Sequence, residues 1–282
     1  MIVDTHCHAF GMWPDGPVPY PETRGDFSQL LYELDASGVD RAVILAGGEE
    51  RWANSDYVNE MIGSASERFY LFPDIDCYWS TTYHVPGAAK RLRSTLLKFR
   101  PRGFTHYLHD DDDGAWLISA DAREFFEIAE EMRQIVSIHV RPHQLQPLRQ
   151  LARSFSSTRF LIHHLGFPLY RGTKPNLVVR ELLECAEIEN LHLKISGLDI
   201  GSTRPWDYPY NGGVEIATSL IEAFGGARAH WGSNFPMCTP SMTYRQSLEG
   251  IREHVRWNSD RERDQVLGDS FFALLNHGAS VS

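Results

Sequence analysis

Two histidines separated by one residue end the apolar run that begins the chain, Met1–His8. Residues two apart in a strand point to the same face, so His6 and His8 are predicted to project together from the tip of a first strand. Paired imidazoles in that position can hold a metal ion or grip an anion. The Pro- and Gly-rich stretch 9–21 that follows predicts a loop, which places the pair at a strand end.

Residues that can bind or titrate recur at the ends of other predicted strands. In chain order they are His106, His139, His163, His164 and Asn234. A lone histidine in a strand is usually a core residue, but histidines at several strand ends converge if the strands form a barrel. Three histidines and a water suit zinc, which would acidify that water and polarise a carbonyl group. The chemistry indicated is hydrolysis, or another reaction that stabilises an oxyanion.

The elements that position these residues follow from the hydrophobic pattern. Short runs rich in β-branched and aromatic residues predict strands at 2–8, 41–46, 69–76, 103–108, 135–140, 159–164, 191–196 and 228–233. Amphipathic stretches predict helices at about 27–37, 52–66, 86–98, 121–133, 144–155, 175–187, 213–224 and 261–275, with an extra segment at 241–256. Eight strand–helix units predict one α/β domain over residues 1–282, a single (β/α)8 TIM barrel.

Composition narrows the class of protein. The chain has 282 residues, 42% of them hydrophobic and 23% charged, as in ordinary globular proteins. A net charge of −10 argues against nucleic acid or an anionic membrane as a partner and leaves a small-molecule substrate. No signal peptide or membrane span is evident, so we expect a cytoplasmic protein. Four widely spaced cysteines predict free thiols, and a homo-oligomer stays possible.

Several motifs occur in an order that resembles the amidohydrolase-2 family of the amidohydrolase superfamily. They are VDTHCH, LLYELDASGVDRAVIL, FLIHHLGFP, LHLKISGL, HWGSNFP and VLGDSFFALL. The resemblance runs to about Leu275 and implies a (β/α)8 barrel. The family contains lactonases of pyrone dicarboxylates and sugar acids and, more distantly, zinc decarboxylases.

The resemblance implies roles for individual residues. The family's first-strand pair falls on His6 and His8 and its strand-five histidine on His139, which together are the predicted metal ligands. Its strand-six histidine falls on His164. Its strand-eight aspartate, which binds the metal or takes a proton from water, is here Asn234. The catalytic set implied is therefore His6, His8, His139, His164 and Asn234.

Asparagine at position 234 leaves three readings open, because a neutral amide cannot act as a general base. A divalent metal, most readily zinc, would let a neighbouring imidazole take the proton of its bound water. Without a metal, the histidines and nearby cations would grip the substrate directly. The third reading is a barrel that binds a ligand or catalyses something other than hydrolysis.

Other residues are candidates for substrate binding. Arg141 lies two residues after His139 and can clamp a carboxylate, unless it only pairs with an acidic neighbour. Lys194 is either a site residue or half of an internal ion pair, since a buried lysine needs a counter-charge. The remaining candidates are Tyr78, His106, His163 and Trp206. The acidic run 110–113 is predicted to be a solvated loop.

The sequence favours a hydrolase that opens a lactone or a related cyclic ester or amide carbonyl compound, one that carries carboxylate or hydroxyl groups. One alternative is a zinc-dependent nonoxidative decarboxylase of an aromatic or enoic acid, although Asn234 counts against it. The other is a non-catalytic ligand-binding barrel.

Overall fold

The computed structural model describes residues 1–14, 18–48, 53–63, 67–170 and 172–276. Strands and helices alternate along these ranges, as the hydrophobic pattern predicted. The strands are β1 Val3–Cys7, β2 Arg41–Leu45, β3 Phe69–Phe72, β4 Gly103–Tyr107, β5 Ile135–His139, β6 Arg159–Ile162, β7 Leu191–Ile195 and β8 Ala229–Trp231. All eight predicted strands are confirmed, and each is shorter than predicted at one or both ends.

The predicted helices are also confirmed, with one exception. The helices are α1 Phe27–Ser37, α2 Asn54–Ile62, α3 Ala88–Phe99, α4 Ala120–Glu131, α5 Leu145–Ser154, α6 Pro175–Ala186, α7 Asn211–Phe224, α8 Tyr244–Arg252, α9 Asp260–Asp264 and α10 Ser270–Asn276. Residues 52 and 64–66 of the predicted second helix lie outside the described ranges. The final helix, predicted as continuous over 261–275, is wrong in that respect, because a π-helical turn at Gln265–Asp269 divides it.

Gly268 explains that division. A Cβ atom at this position would lie 2.6 Å from the Val3 backbone nitrogen, so the chain passes β1 too closely for a side chain. The turn lets α10 cross the amino-terminal end of the strands. There Phe271 packs with Val43, Phe72 and Leu161 in an apolar cluster.

All strand pairings are parallel. One sheet has the order β1-β2-β3 and the other β4-β5-β6-β7-β8. Backbone hydrogen bonds join the two sheets at both edges: Thr105 N donates to the Pro73 carbonyl at 2.9 Å, and Asn234 N to the His6 carbonyl at 2.7 Å. The carboxyl ends of all eight strands therefore lie at the same end of the molecule.

The described helices include none that is long and apolar enough to cross a membrane. The four cysteines, Cys7, Cys77, Cys185 and Cys238, are free and buried, as the sequence predicted. The Cys7 thiol contacts the Val43 carbonyl oxygen at 3.4 Å, so this residue, although it lies between His6 and His8, belongs to the core.

Candidate active site

Five histidines meet at the carboxyl end of the strands. The His6 ring centroid lies 5.2 Å from that of His8, 4.6 Å from that of His163 and 4.4 Å from that of His164. The ring of His139 is 6.0 Å from that of His163. None of the five residues is more than 8% exposed. These residues, His6, His8, His139, His163 and His164, are called the histidine cluster below.

A buried carboxylate that the sequence analysis did not single out supports the first strand of the cluster. Asp4 accepts hydrogen bonds from the His6 backbone at 3.1 Å, the Ser233 hydroxyl at 2.6 Å and the Tyr244 hydroxyl at 2.9 Å. Burial raises the pKa of Asp4 despite these bonds. Because Ser233 follows β8, Asp4 ties β1 to β8 just below His6. In the sequence, Asp4 could have been recognised as an acidic residue within an otherwise apolar run.

The backbone after β6 adopts an uncommon conformation that directs His164. His164 has φ of 48°, Leu165 of 55° and Phe167 of 59°, all in the left-handed region. Residues other than glycine rarely occupy this region, and each costs about 1 kcal/mol or more. The turn brings His164 Nδ1 to 3.0 Å from the Ser196 hydroxyl, which fixes the ring.

All five imidazoles are neutral at neutral pH. Burial lowers the pKa of His8 to about 4 and that of His139 to about 3. Burial, reinforced by the charge of Lys194, also lowers the pKa of His6 and of His163 well below the usual value. Neutral imidazole offers one lone pair and one N–H, so the cluster can hold a metal or donate hydrogen bonds to an oxygen.

The tautomer of His8 follows from its surroundings. His8 Nδ1 lies 2.8 Å from the Leu45 carbonyl oxygen, which can only accept. The proton is therefore on Nδ1, and the Nε2 atom carries the lone pair. This arrangement is that of a proton acceptor held in orientation by a backbone group.

Lys194, on β7, lies beside two buried groups of the site, Ser137 and His6. Its Nζ atom is 2.7 Å from Ser137 Oγ and 3.4 Å from His6 Nδ1, and it is fully buried. Burial lowers the pKa of Lys194 to about 7, although the negative charge of Asp4 acts to raise it. No carboxylate in the described ranges lies within ion-pair distance of it. The alternative of an internal ion pair is therefore not what the structure has.

Arg141 is engaged by an acidic neighbour. Its guanidinium donates to Asp110 at 2.6 and 2.9 Å and lies over the rings of Phe167 and Tyr170. The Nη1 atom is buried and has no hydrogen-bond partner among the described residues. The acidic run 110–113 is thus only partly a solvated loop, since Asp110 holds Arg141.

Aromatic side chains that the sequence analysis missed pack against the cluster. Tyr107 stacks on His139 with centroids 4.9 Å apart and meets His163 edge-on at 4.9 Å. Phe167 contacts His139 and His164, at 4.9 and 5.1 Å. In the sequence, only their positions pointed to the site: Tyr107 is the last residue of β4, and Phe167 follows β6.

Three predicted residues lie apart from the cluster. His106 alternates along β4 with Tyr107 and faces the other way, where it contacts Trp116 and Phe125. Trp206 is 78% exposed, and Tyr78 is 46% exposed beside Trp79 and His109. The part of Tyr78 and Trp206 in substrate binding stays a prediction.

Asn234 lies beside the cluster in the left-handed region, with φ of 58°. Asparagine tolerates this conformation better than most residues. Its backbone bonds to β1, and its side-chain amide, half-buried, makes no hydrogen bond with any described residue. The amide is free to meet a substrate or a water.

The spacing of three histidines admits a metal ion, but the charges around them do not suit a divalent one. His6, His163 and His164 each offer a nitrogen, and these atoms lie within 4.8 Å of one another. This group differs from the predicted ligand set of His6, His8 and His139. The described residues give it no carboxylate, and a buried lysine touches His6. Three histidines can hold zinc without a carboxylate, but the charge of Lys194 beside His6 opposes a cation, and on this ground we judge that the residues present do not suit a resident divalent ion.

A family model for amidohydrolases matches residues 3–270 of the chain. The chain belongs to the amidohydrolase family. A comparison with curated proteins finds no match.

Solved structures share the fold of this amidohydrolase. An amidohydrolase from Burkholderia multivorans with zinc bound is 18% identical, with 98% of this chain and 99% of that chain covered and a TM-score of 0.76. A probable 2-pyrone-4,6-dicarboxylic acid hydrolase from Acinetobacter baumannii with citric acid bound is 17% identical, with coverages of 98% and 99% and a TM-score of 0.75. A 2,6-dihydroxybenzoate decarboxylase is 14% identical, with the same coverages and a TM-score of 0.69. At these identities the likeness shows the fold alone.

Proposed function

We propose that this chain, as a single closed (β/α)8 barrel domain, is a hydrolase that opens a small lactone bearing carboxylate or hydroxyl groups, without a resident metal. The observation that carries the proposal is the histidine cluster, with Lys194 and Arg141 adjoining it. Neutral imidazoles at the carboxyl ends of barrel strands can both hold a carbonyl oxygen and move a proton.

The roles of the residues follow from their surroundings. His6 and His163, each with a buried ring nitrogen that has no partner among the described residues, hold the lactone carbonyl oxygen. His8 Nε2 takes a proton from water while the water oxygen bonds to the carbonyl carbon. The ring C–O bond then breaks, and His8 returns the proton to the leaving oxygen, so that the product is a hydroxy acid.

The other members of the site bind substrate. The unpartnered Arg141 Nη1 meets a substrate carboxylate, and the Asn234 amide orients the water or a hydroxyl group. His139 and His164, packed against Phe167, form the adjoining wall. In the competing reading a zinc ion occupies the site and supplies Lewis-acid chemistry.

The proposal is tested by offering the purified protein a panel of carboxylated and hydroxylated lactones and measuring acid release with a pH indicator. We expect turnover of at least one compound, a loss of about 10²-fold or more in His8→Gln, and normal turnover in His192→Gln, a buried histidine away from the site. Asn234→Asp should lower turnover, because an enzyme built around a neutral amide gains an opposing charge there.

Three outcomes would overturn the proposal. Release of carbon dioxide without ring opening would identify a decarboxylase. Saturable binding without turnover would identify a ligand-binding barrel. Elemental analysis that finds about one zinc per chain in untagged protein, lost in His6→Gln, would replace the metal-free mechanism by a metal-dependent one.

A further inference from the structure

The interior of the barrel beneath the histidine cluster contains a short chain of buried polar groups. Lys194 Nζ lies 2.7 Å from Ser137 Oγ, which lies 2.6 Å from His163 Nε2. Lys194 Nζ also lies 3.4 Å from His6 Nδ1. All four side chains are fully buried. Neither Lys194 nor Ser137 reaches the surface, so each acts on a substrate through the histidines.

The direction of these hydrogen bonds follows from the donors. Below its pKa of about 7, Lys194 is an ammonium group that can only donate, so Ser137 Oγ accepts from it. No other acceptor among the described residues lies within hydrogen-bond distance of Ser137 Oγ, so its own proton is directed to His163 Nε2. A neutral His163 that accepts at Nε2 carries its proton on Nδ1. In the same way His6 accepts from Lys194 at Nδ1, so its proton is on Nε2.

The two nitrogens that carry the proton in these tautomers are also the two that have no hydrogen-bond partner among the described residues. His163 Nδ1 and His6 Nε2 are buried and make no hydrogen bond with any described residue. A buried N–H without an acceptor is costly, and an incoming oxygen would relieve that cost. A metal ion would need the reverse, a lone pair on each of these two atoms.

We propose that Lys194 is a positioning residue that, through Ser137 and by direct contact, fixes the tautomers of His163 and His6 so that both donate N–H groups to an oxyanion and disfavour a divalent cation. This deepens the proposed function and rests on it for the identity of the oxyanion, the lactone carbonyl oxygen. Lys194 also supplies a charge that no described carboxylate neutralises at contact distance. An anion in the cluster is stabilised by that charge, whereas a cation is repelled.

The tautomers are measured by long-range ¹H–¹⁵N correlation on histidine-labelled protein at pH 6, with His6→Gln and His163→Gln to assign the signals. We expect protons on His6 Nε2 and His163 Nδ1 in the wild type. Ser137→Ala should release the His163 tautomer, and Ser137→Thr, which keeps the hydroxyl, should restore it. Protons on His6 Nδ1 and His163 Nε2 in the wild type would overturn the proposal.

Binding of citrate and of Zn²⁺, each alone, provides the second readout. Compared with the wild type, Lys194→Met should bind citrate about tenfold more weakly and Zn²⁺ about tenfold more tightly, since it removes a buried charge and frees both nitrogens. Equal zinc affinity in the two proteins would contradict the proposal. If Lys194→Met does not fold, the tautomers of the wild type and of the two Ser137 variants still decide.

The two proposals can fail separately, because neither readout requires turnover. Failure of every lactone with the expected tautomers would remove the proposed function and leave an anion-binding site. Lactone turnover with reversed tautomers would keep the hydrolase and remove the role of Lys194.

Discussion

Two groups of buried histidines lie at different levels of the strands. The histidine cluster occupies the carboxyl end, whereas His192 on β7 and His230 on β8 lie nearer the amino end. His192 Nδ1 and His230 Nε2 are hydrogen-bonded at 2.8 Å, and their rings stack 5.1 Å apart. Burial lowers the pKa of His192 to about 3, so this pair is neutral, as is the cluster.

The difference lies in what surrounds each group. His192 Nδ1 and His230 Nε2 partner each other, His230 Nδ1 is buried without a partner among the described residues, and Phe271 packs against His230. In the cluster, His6 Nε2 and His163 Nδ1 are likewise buried without partners, but there Lys194 Nζ lies 3.4 Å from His6 Nδ1. His192 also borders a cavity of about 890 Å³. Cavity size alone would thus favour the amino end, whereas the buried lysine and the five clustered imidazoles mark the carboxyl end.

The largest effect is expected on lactone turnover, which should depend on the histidine cluster and not on the pair His192 and His230. His6→Ala should reduce lactone turnover by about 10²- to 10³-fold, because it removes a donor to the developing oxyanion. In His192→Gln the amide can donate to or accept from His230, and kcat/KM should stay within about twofold of the wild type because the residue is remote from the proposed reaction. Steady-state kinetics check both, with circular dichroism to show that each protein is folded. Full activity in His6→Ala would sink the site assignment.

Two close backbone approaches allow a matched comparison of the ends. A Cβ at Gly232 would lie 2.6 Å from the His6 Cβ, and one at Gly268 would lie 2.6 Å from the Val3 nitrogen. Gly232→Ala and Gly268→Ala should each lower the free energy of unfolding by about 1–3 kcal/mol, but only Gly232→Ala should also impair turnover.

Urea denaturation and kinetics on the folded proteins provide the measurement. Gly212→Ala, at a position with no atom within 4 Å, is the control for the substitution itself. Equal loss of activity in Gly232→Ala and Gly268→Ala would show that the two ends are not functionally distinct.

The smallest effect concerns acid stability. The folded-state pKa values of His8, about 4, and of His139 and His192, about 3, lie below the ordinary 6.5 of an unfolded chain. Below pH 6.5 the unfolded state therefore binds more protons, and the free energy of unfolding falls as the pH falls toward 4. Each such histidine contributes up to about 1.4 kcal/mol per pH unit.

Urea denaturation between pH 7 and pH 4.5 measures this slope. His192→Gln removes one titrating group and should make the slope shallower by about that amount per pH unit. An unchanged slope would mean that His192 takes up its proton over the same pH range in the folded and in the unfolded protein.

Much of the fold was predictable because its signals are local. In Arg41–Leu45 the four residues after the arginine are apolar and two of them are β-branched. The helix Phe27–Ser37 ends at Gly38 in the left-handed conformation, a common helix terminator. The division of the last helix at Gly268 was not predictable, because its cause is contact with Val3, far away in the chain.

The site was predictable in part. Strand ends placed His6, His8, His139, His163 and His164 at one end of a barrel, and the structure brings them together. His106 also lies on a strand, β4. Because successive side chains of a strand point to opposite faces, His106 faces the helices, whereas its neighbour Tyr107 faces the cluster. Asp110 was read as solvated because its partner, Arg141, is 31 residues away.

The sequence by itself determined the order of strands and helices, the family, and which strand ends carry imidazoles, since periodicity and motifs are properties of neighbouring residues. Only the tertiary structure decided what those imidazoles face. Lys194, Ser137 and His163 come from three different strands, β7, β5 and just after β6, and are hydrogen-bonded only because parallel pairing sets their register. The direction of a hydrogen bond depends on both partners, and the sequence does not say which residues will be partners.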